Sequence, residues 1–235
     1  MENVELHFFH GFLGQPSDWS GVVECVGRKA VCHNLSEDII RLGDEISFSA
    51  WTRLKQAELS TIKARKILIG YSLGGRLAMH LDPDSYDQLI LLGAHPGLLE
   101  GHEVRLAQDL SWIEKFHSMT TPHWLAAWNA QPVFANYVVP MNRVYKSGEI
   151  ENQLKALDHF SLGRQEEKWH KLSSLKAKVH WGCGENDKKF LKMQDQLSRC
   201  LGQDYVFTIP GAGHRVMFDN PQAVAEKIKE VATSV

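Results

Sequence analysis

Short apolar runs recur along the chain, and each stops at glycine or proline. Val4-Glu5-Leu6-His7-Phe8-Phe9 ends at His10-Gly11, Lys66-Ile67-Leu68-Ile69 at Gly70, and Gln88 to Leu92 at Gly93. Lys178 to Trp181 ends at Gly182, and Tyr205 to Ile209 at Pro210-Gly211. A weaker run covers Lys29 to Cys32. Brief unbroken runs of this kind predict parallel strands covered on both faces. Between them, apolar residues recur at helical spacing. Ala50 to Ala64 sets Trp51, Leu54, Leu59 and Ile62 among charged residues, and Gly75 to Leu81 and Pro221 to Val231 are similar. Strand and helix in alternation predict an α/β fold built on a mostly parallel, doubly wound sheet.

One interval breaks the alternation. From Pro96 to about Ser173 no strand pattern is found, but helical patterns cover Glu103 to His117, His123 to Trp128 and Ile150 to Leu157. A crossover between parallel strands needs only about a dozen residues. The interval is therefore expected to be an inserted helical cap, residues 96–173, on a core formed by 1–95 and 174–235.

Composition narrows the setting. The 235 residues are 43% hydrophobic and 23% charged, enough apolar material for a core and unlike a disordered chain. A formal net charge of −2 provides no bulk attraction to nucleic acid or to an anionic membrane. No stretch approaches the roughly 20 apolar residues of a membrane span, and Met1 to Glu5 lacks a basic segment before an apolar one, so a cytoplasmic location is expected. Cys25, Cys32, Cys183 and Cys200 form no CxxC pair and are expected to be free thiols. No HExxH is present; neither a metal nor an obligate protein partner is expected.

Gly70-Tyr71-Ser72-Leu73-Gly74 matches G-x-S-x-G, between a predicted strand and a predicted helix. In that setting a tight turn strains the central residue and lifts its hydroxyl above the sheet. A serine hydroxyl is inert at neutral pH without a histidine, and the histidine needs a carboxylate to orient it. Asp187 follows one predicted strand end and His214 the next, in the order serine, acid, histidine that this architecture requires. Glu185 is a rival for the acid. Both loops lie at the carboxyl edge of the strands, where open α/β sheets gather ligands. His10-Gly11-Phe12 follows the first strand, and the backbone amides of Phe12 and Leu73 are candidates for an oxyanion hole. His80 on a helix and His180 in a strand read as packing residues.

With these three residues so ordered, the chain resembles the α/β-hydrolases that carry a helical cap. Gly70 to Arg76, Gly93-Ala94-His95-Pro96-Gly97-Leu98, Trp128-Asn129-Ala130-Gln131-Pro132-Val133-Phe134-Ala135, Gly184 to Phe190 and Gly211-Ala212-Gly213-His214 resemble one family within them. That family is the 2-succinyl-6-hydroxy-2,4-cyclohexadiene-1-carboxylate synthases of menaquinone biosynthesis. The resemblance implies a lyase that needs no cofactor. It would remove a proton from a cyclohexene carboxylate bearing an enolpyruvyl ether and eliminate pyruvate. Ser72 would be the base, activated by His214 and oriented by Asp187. The Phe12 and Leu73 amides would hold the negative charge developing on the substrate carboxylate.

Such a substrate carries several carboxylates, so its pocket should contain cations, arginines above all. Arg76, one helical turn past Ser72, Arg105 on the first cap helix, Arg143, Lys146 and Lys188 are the candidates. Tyr71, Trp128 and Phe134 would supply apolar walls. The chain departs from the family at three places. Arg105 is followed by Leu106-Ala107-Gln108 rather than by further arginines, His33-Asn34-Leu35-Ser36 replaces a Pro-Gly-His-Gly, and the N-terminal antiparallel hairpin is expected to be absent. The same triad would also serve a serine hydrolase acting on an ester, thioester or carbon–carbon bond of a small carboxylated substrate. A non-catalytic binding protein would have no need of all three residues.

Overall fold

A computed structural model describes residues 4–135, 145, 148–175 and 178–233. Six strands form one sheet: β1 (Val4–Phe9), β2 (Ala30–His33), β3 (Arg65–Tyr71), β4 (Gln88–Leu92), β5 (Val179–Gly184) and β6 (Val206–Ile209). Their spatial order is β2-β1-β3-β4-β5-β6, and every pairing is parallel. The apolar runs thus do what their continuity predicts, because alternate side chains enter two separate cores. Leu68, Leu89, Leu91 and Trp181 face one side, with α2 (Leu35–Leu42), α3 (Phe48–Ser60) and α4 (Leu73–Ala78) packed there. Ile67, Ile69, Ile90 and Leu92 face the other, against α1 (Ser20–Val26).

Between β4 and β5 the described residues include four α-helices and no strand: α5 (His102–Ser118), α6 (Thr121–Asn129), α7 (Glu149–His159) and α8 (Trp169–Ser174). After β5 come α9 (Lys188–Leu191) and α10 (Gln194–Leu201), and after β6 come α11 (Val216–Asp219) and α12 (Pro221–Thr233). α10 joins the first core, and α11 and α12 join the second.

Helices α5 to α7 build a third, smaller core of their own. Trp124 is fully buried there, edge-on to Trp112 and Phe116 and stacked on Trp128 at 5.6 Å between ring centroids. Its indole N–H donates to the Trp112 carbonyl at 2.8 Å, so the ring is buried with its polar atom satisfied. Ile150, Leu154 and Leu157 of α7 close the cluster, and Leu13, from the loop after β1, is buried among them.

Several boundaries differ from the sequence reading. The helix after the serine begins at Leu73 rather than Gly75, and β3 extends through Tyr71, so strand and helix meet at Ser72 with no loop between them. α3 starts two residues before the expected Ala50, because the Ser47 side chain accepts the Ala50 N–H at 3.1 Å and caps the helix there. His80 and His180 are held neutral by burial, at about 3 and about 4. No helix among the described residues is long and apolar enough to cross a membrane.

Candidate active site

The loops after β1, β3, β4, β5 and β6 all open at one edge of the sheet. The chain's winding reverses between β1 and β3, so a crevice opens beside those two strand ends. Ser72 stands at the end of β3. Its backbone has φ 49° and ψ −112°, and Leu13 is the other non-glycine residue with positive φ among the described residues. Its N–H donates to the Leu92 carbonyl of the neighbouring strand at 2.9 Å. Two glycines allow this turn. A Cβ at Gly70 would lie 2.5 Å from Gly75 Cα, and one at Gly74 would lie 2.4 Å from the Phe9 carbonyl oxygen. Both contacts are with backbone, which cannot move aside.

His214 and Asp187 come together as the sequence expects. His214 Nδ1 lies 2.6 Å from Asp187 Oδ2, and both side chains are buried. The carboxylate therefore fixes the ring as the Nδ1–H tautomer and leaves Nε2 as its basic nitrogen. Asp187 also caps α9, accepting the Phe190 N–H. The Phe190 ring stacks on the imidazole at 5.0 Å, which holds the ring plane. Glu185, the rival acid, is exposed and accepts the Gly211 N–H instead. The edge of the imidazole lies over Gly93, where a Cβ would come within 2.9 Å of Cε1. Ser72 and His214 line one cavity but are not hydrogen-bonded to each other. Bonds between such groups commonly tighten only when substrate occupies the site.

That cavity measures about 260 Å³. Phe12, Leu73, Trp128 and Phe134 line it, as do Arg76 and Arg105. Neither the Phe12 nor the Leu73 N–H is taken by another acceptor among the described residues. Leu73 opens α4, where the helix itself leaves the first amides unpaired. Among the described residues, three cations line the cavity, Arg76, Arg105 and Lys189, against the single carboxylate of Asp109. Asp109 is already engaged, taking Arg105 Nε on both oxygens at 3.0 Å and the Ser161 hydroxyl at 2.7 Å. Arg76 is held by neutral acceptors, Gln165 Oε1 at 3.0 Å and the Phe160 carbonyl at 2.7 Å. Loss of water and the nearby Arg105 cation push it down to about 9, which leaves it protonated at neutral pH. Removal from water, followed by the Lys189, Arg76 and Arg105 charges, lowers His95 on the same wall to about 4 and keeps it neutral.

Two expected contacts are corrected. Lys188 does not line the cavity, whereas Lys189 does. Neighbouring helical residues point about 100° apart, so the start of α9 decides which lysine faces inward. Tyr71 is not on the main wall. As the last residue of β3 it belongs to the face of Ile67 and Ile69, and it lines a separate cleft of about 60 Å³ that also touches Ser72. Arg143 and Lys146 lie outside the described residues. Sequence reasoning missed Lys189, and also Arg215, whose guanidinium lies 4.0 Å over the Phe134 ring and donates to Asn129 Oδ1. No group of three or more His, Cys, Asp or Glu among the described residues could hold a metal ion.

Comparison with known proteins agrees with this layout. Residues 8–227 match the profile of the alpha/beta hydrolase family. A 2-succinyl-6-hydroxy-2,4-cyclohexadiene-1-carboxylate synthase from Serratia proteamaculans is 31% identical over 95% of this chain and 91% of its own. One from Photorhabdus laumondii is 32% identical over 94% of this chain and 82% of its own. The solved structure of MenH from S. aureus superposes with a TM-score of 0.82 at 21% identity, covering 98% of this chain and 94% of that one.

Proposed function

Because the chain belongs to the alpha/beta hydrolase family and, within it, to the 2-succinyl-6-hydroxy-2,4-cyclohexadiene-1-carboxylate synthases, we propose that Ser72, His214 and Asp187 carry out the elimination of pyruvate in menaquinone biosynthesis. The enzyme is a carbon–oxygen lyase on a hydrolase fold. Ser72 Oγ takes the ring proton of the cyclohexene carboxylate while passing its own proton to His214 Nε2. The electron pair released from the C–H bond forms the new ring double bond and expels the enolpyruvyl oxygen. The proton held on His214 Nε2 is given up to carbon of the departing enolate, which leaves as pyruvate, so the histidine is restored and no net water or oxidant is consumed. The Phe12 and Leu73 amides hold the negative charge that builds on the substrate as the C–H bond breaks. Helices α5 to α7 serve as the cap, residues 96–173, closing the cavity over the core.

One observation carries this reading. Among the described residues, three cations converge on the cavity that holds Ser72, and Asp109 alone opposes them. Arg76 in particular is kept out of water with no carboxylate partner among the described residues, an arrangement that costs stability unless an anion completes it. A polycarboxylate supplies that anion, whereas an apolar ester does not. Release of pyruvate from the enolpyruvyl intermediate, followed by a coupled dehydrogenase, tests it. Rapid cleavage of simple esters with no pyruvate would replace the lyase by a hydrolase.

Lys189 adds a pH signature. Partial withdrawal from water, then the Arg105 and Arg76 charges, lower its ammonium below the ordinary lysine range. It therefore loses its charge earlier than a free lysine as pH rises, and binding of the anionic substrate weakens with it. The kcat/KM profile is expected to fall on its alkaline side below the usual lysine pKa of about 10.4. Lys189→Met lowers the plateau and alters that limb, leaving the fall that belongs to Arg76, itself pushed down to about 9. An unchanged limb in the variant would show that another group titrates there.

A further inference from the structure

The loop that carries the Phe12 amide is gripped from both sides. On the core side, His10 is buried, its Nδ1 lies 2.8 Å from the Gly11 carbonyl, and its Nε2 accepts the Leu35 N–H at 3.1 Å. On the other side stands Gln153 of α7, 2% exposed. Its Oε1 accepts the Leu13 N–H at 3.0 Å, and its Nε2 donates to the Gly14 carbonyl at 3.0 Å and to Ser36 Oγ at 2.9 Å. The Tyr145 hydroxyl donates to the Leu13 carbonyl at 3.0 Å. Both backbone groups of Leu13 are thus bonded to side chains more than 130 residues away in sequence.

Leu13 is the residue these contacts constrain. It occupies the third position of a turn closed by Gly14 N–H to the Gly11 carbonyl at 3.0 Å, with φ 57°. A branched apolar residue disfavours that conformation, which persists only where its surroundings impose it. Gly11 packs close beside the serine, since a Cβ there would meet Tyr71 Cε1 at 2.8 Å and Ser72 Cβ at 3.3 Å. Its backbone therefore lies directly beside Ser72, and a small shift of the turn moves the Phe12 N–H relative to the reacting oxygen.

We infer that Gln153 is a positioning residue: by holding the Leu13 N–H and the Gly14 carbonyl it makes docking of α7 a condition for an assembled oxyanion hole. A helix of the inserted segment thus completes a site on the core, in addition to walling it. The inference rests on the reading of Phe12 as an oxyanion donor. Displacing a group at a reacting centre by about 1 Å costs on the order of a hundredfold in rate.

The test compares Gln153→Leu, Gln153→Glu, Tyr145→Phe and Ser36→Ala by steady-state pyruvate release. Gln153→Leu is expected to lower kcat at least tenfold with KM within twofold, since substrate cations are untouched. Tyr145→Phe lowers kcat severalfold. Ser36→Ala removes the contact that does not touch the turn and keeps kcat within twofold. In Gln153→Glu a protonated carboxyl replaces the amide's acceptor and donor, whereas its anion faces the Gly14 carbonyl. Its kcat is expected to recover toward wild type as pH falls, a profile that lost stability alone does not produce. Wild-type kcat in folded Gln153→Leu, or an equal loss in Ser36→Ala, would overturn the inference. If Gln153→Leu does not fold, Gln153→Glu and Tyr145→Phe decide it. If the wild type releases no pyruvate, the lyase reading falls, and the same variants are scored on p-nitrophenyl acetate hydrolysis, which draws on the same amides.

Discussion

Ser72→Ala is expected to cut kcat for pyruvate release about a thousandfold while KM stays within twofold. A positioned general base contributes typically 10² to 10⁴ in rate, and Ser72 is the group proposed to touch the reacting proton. The substrate's carboxylates are proposed to meet Arg76, Arg105 and Lys189 rather than the serine, so binding should survive. The variant should fold normally, because the hydroxyl makes no hydrogen bond that the fold requires and alanine tolerates φ 49° no worse than serine. His214→Ala is expected to lose nearly as much, and the double variant little more, since the pair acts as one unit. Ser72→Ala retaining a tenth or more of wild-type kcat would remove the serine from the chemistry.

Arg76→Ala is expected to lower kcat/KM by about a hundredfold or more, chiefly through KM. Truncating one partner of a buried, hydrogen-bonded charge pair costs about 2–5 kcal/mol. A contact made equally in ground and transition states appears in KM rather than kcat. Arg76→Lys keeps the charge but loses the planar fork that matches a carboxylate and also spans the Phe160 carbonyl and Gln165, so it recovers only part of the loss. Circular dichroism and thermal melts separate this from unfolding. KM within twofold of wild type in a folded Arg76→Ala would move the substrate's carboxylates elsewhere.

The two expectations differ in how visible their residues are along the chain. Ser72, Asp187 and His214 were legible because each lies on the turn or short loop after a strand, and strand ends announce themselves by an apolar run that stops at glycine or proline. Gly70 and Gly74 were equally legible, as the small residues that a reversal packed against backbone demands. Arg76 could be placed near the serine because one helical turn is a local distance. Lys188 could not be separated from Lys189, since the choice depends on the rotation of a four-residue helix set by the Asp187 cap.

Other features left no local signal. Arg105 and Asp109 stand four apart on α5, a spacing that predicts their pairing, but nothing nearby says that both face the cavity. Tyr71 read as a pocket wall from its position beside Ser72, yet strand alternation turns it to the opposite core. Gln153 is a polar residue at a buried position of an amphipathic helix, and its partners, Leu13, Gly14 and Ser36, lie far away in the chain.

The residues by themselves determined the alternating sheet, the strained turn at the serine and the strand-end loops that carry the proposed acid and histidine, because hydrophobic periodicity and backbone sterics act over a few neighbouring positions. Only the folded molecule decided which cations share a cavity, which lysine faces it, and that α7 grips the turn after β1. Those are matters of convergence between segments remote in sequence, and charge compensation and buried hydrogen bonding take effect only once packing has excluded water between them.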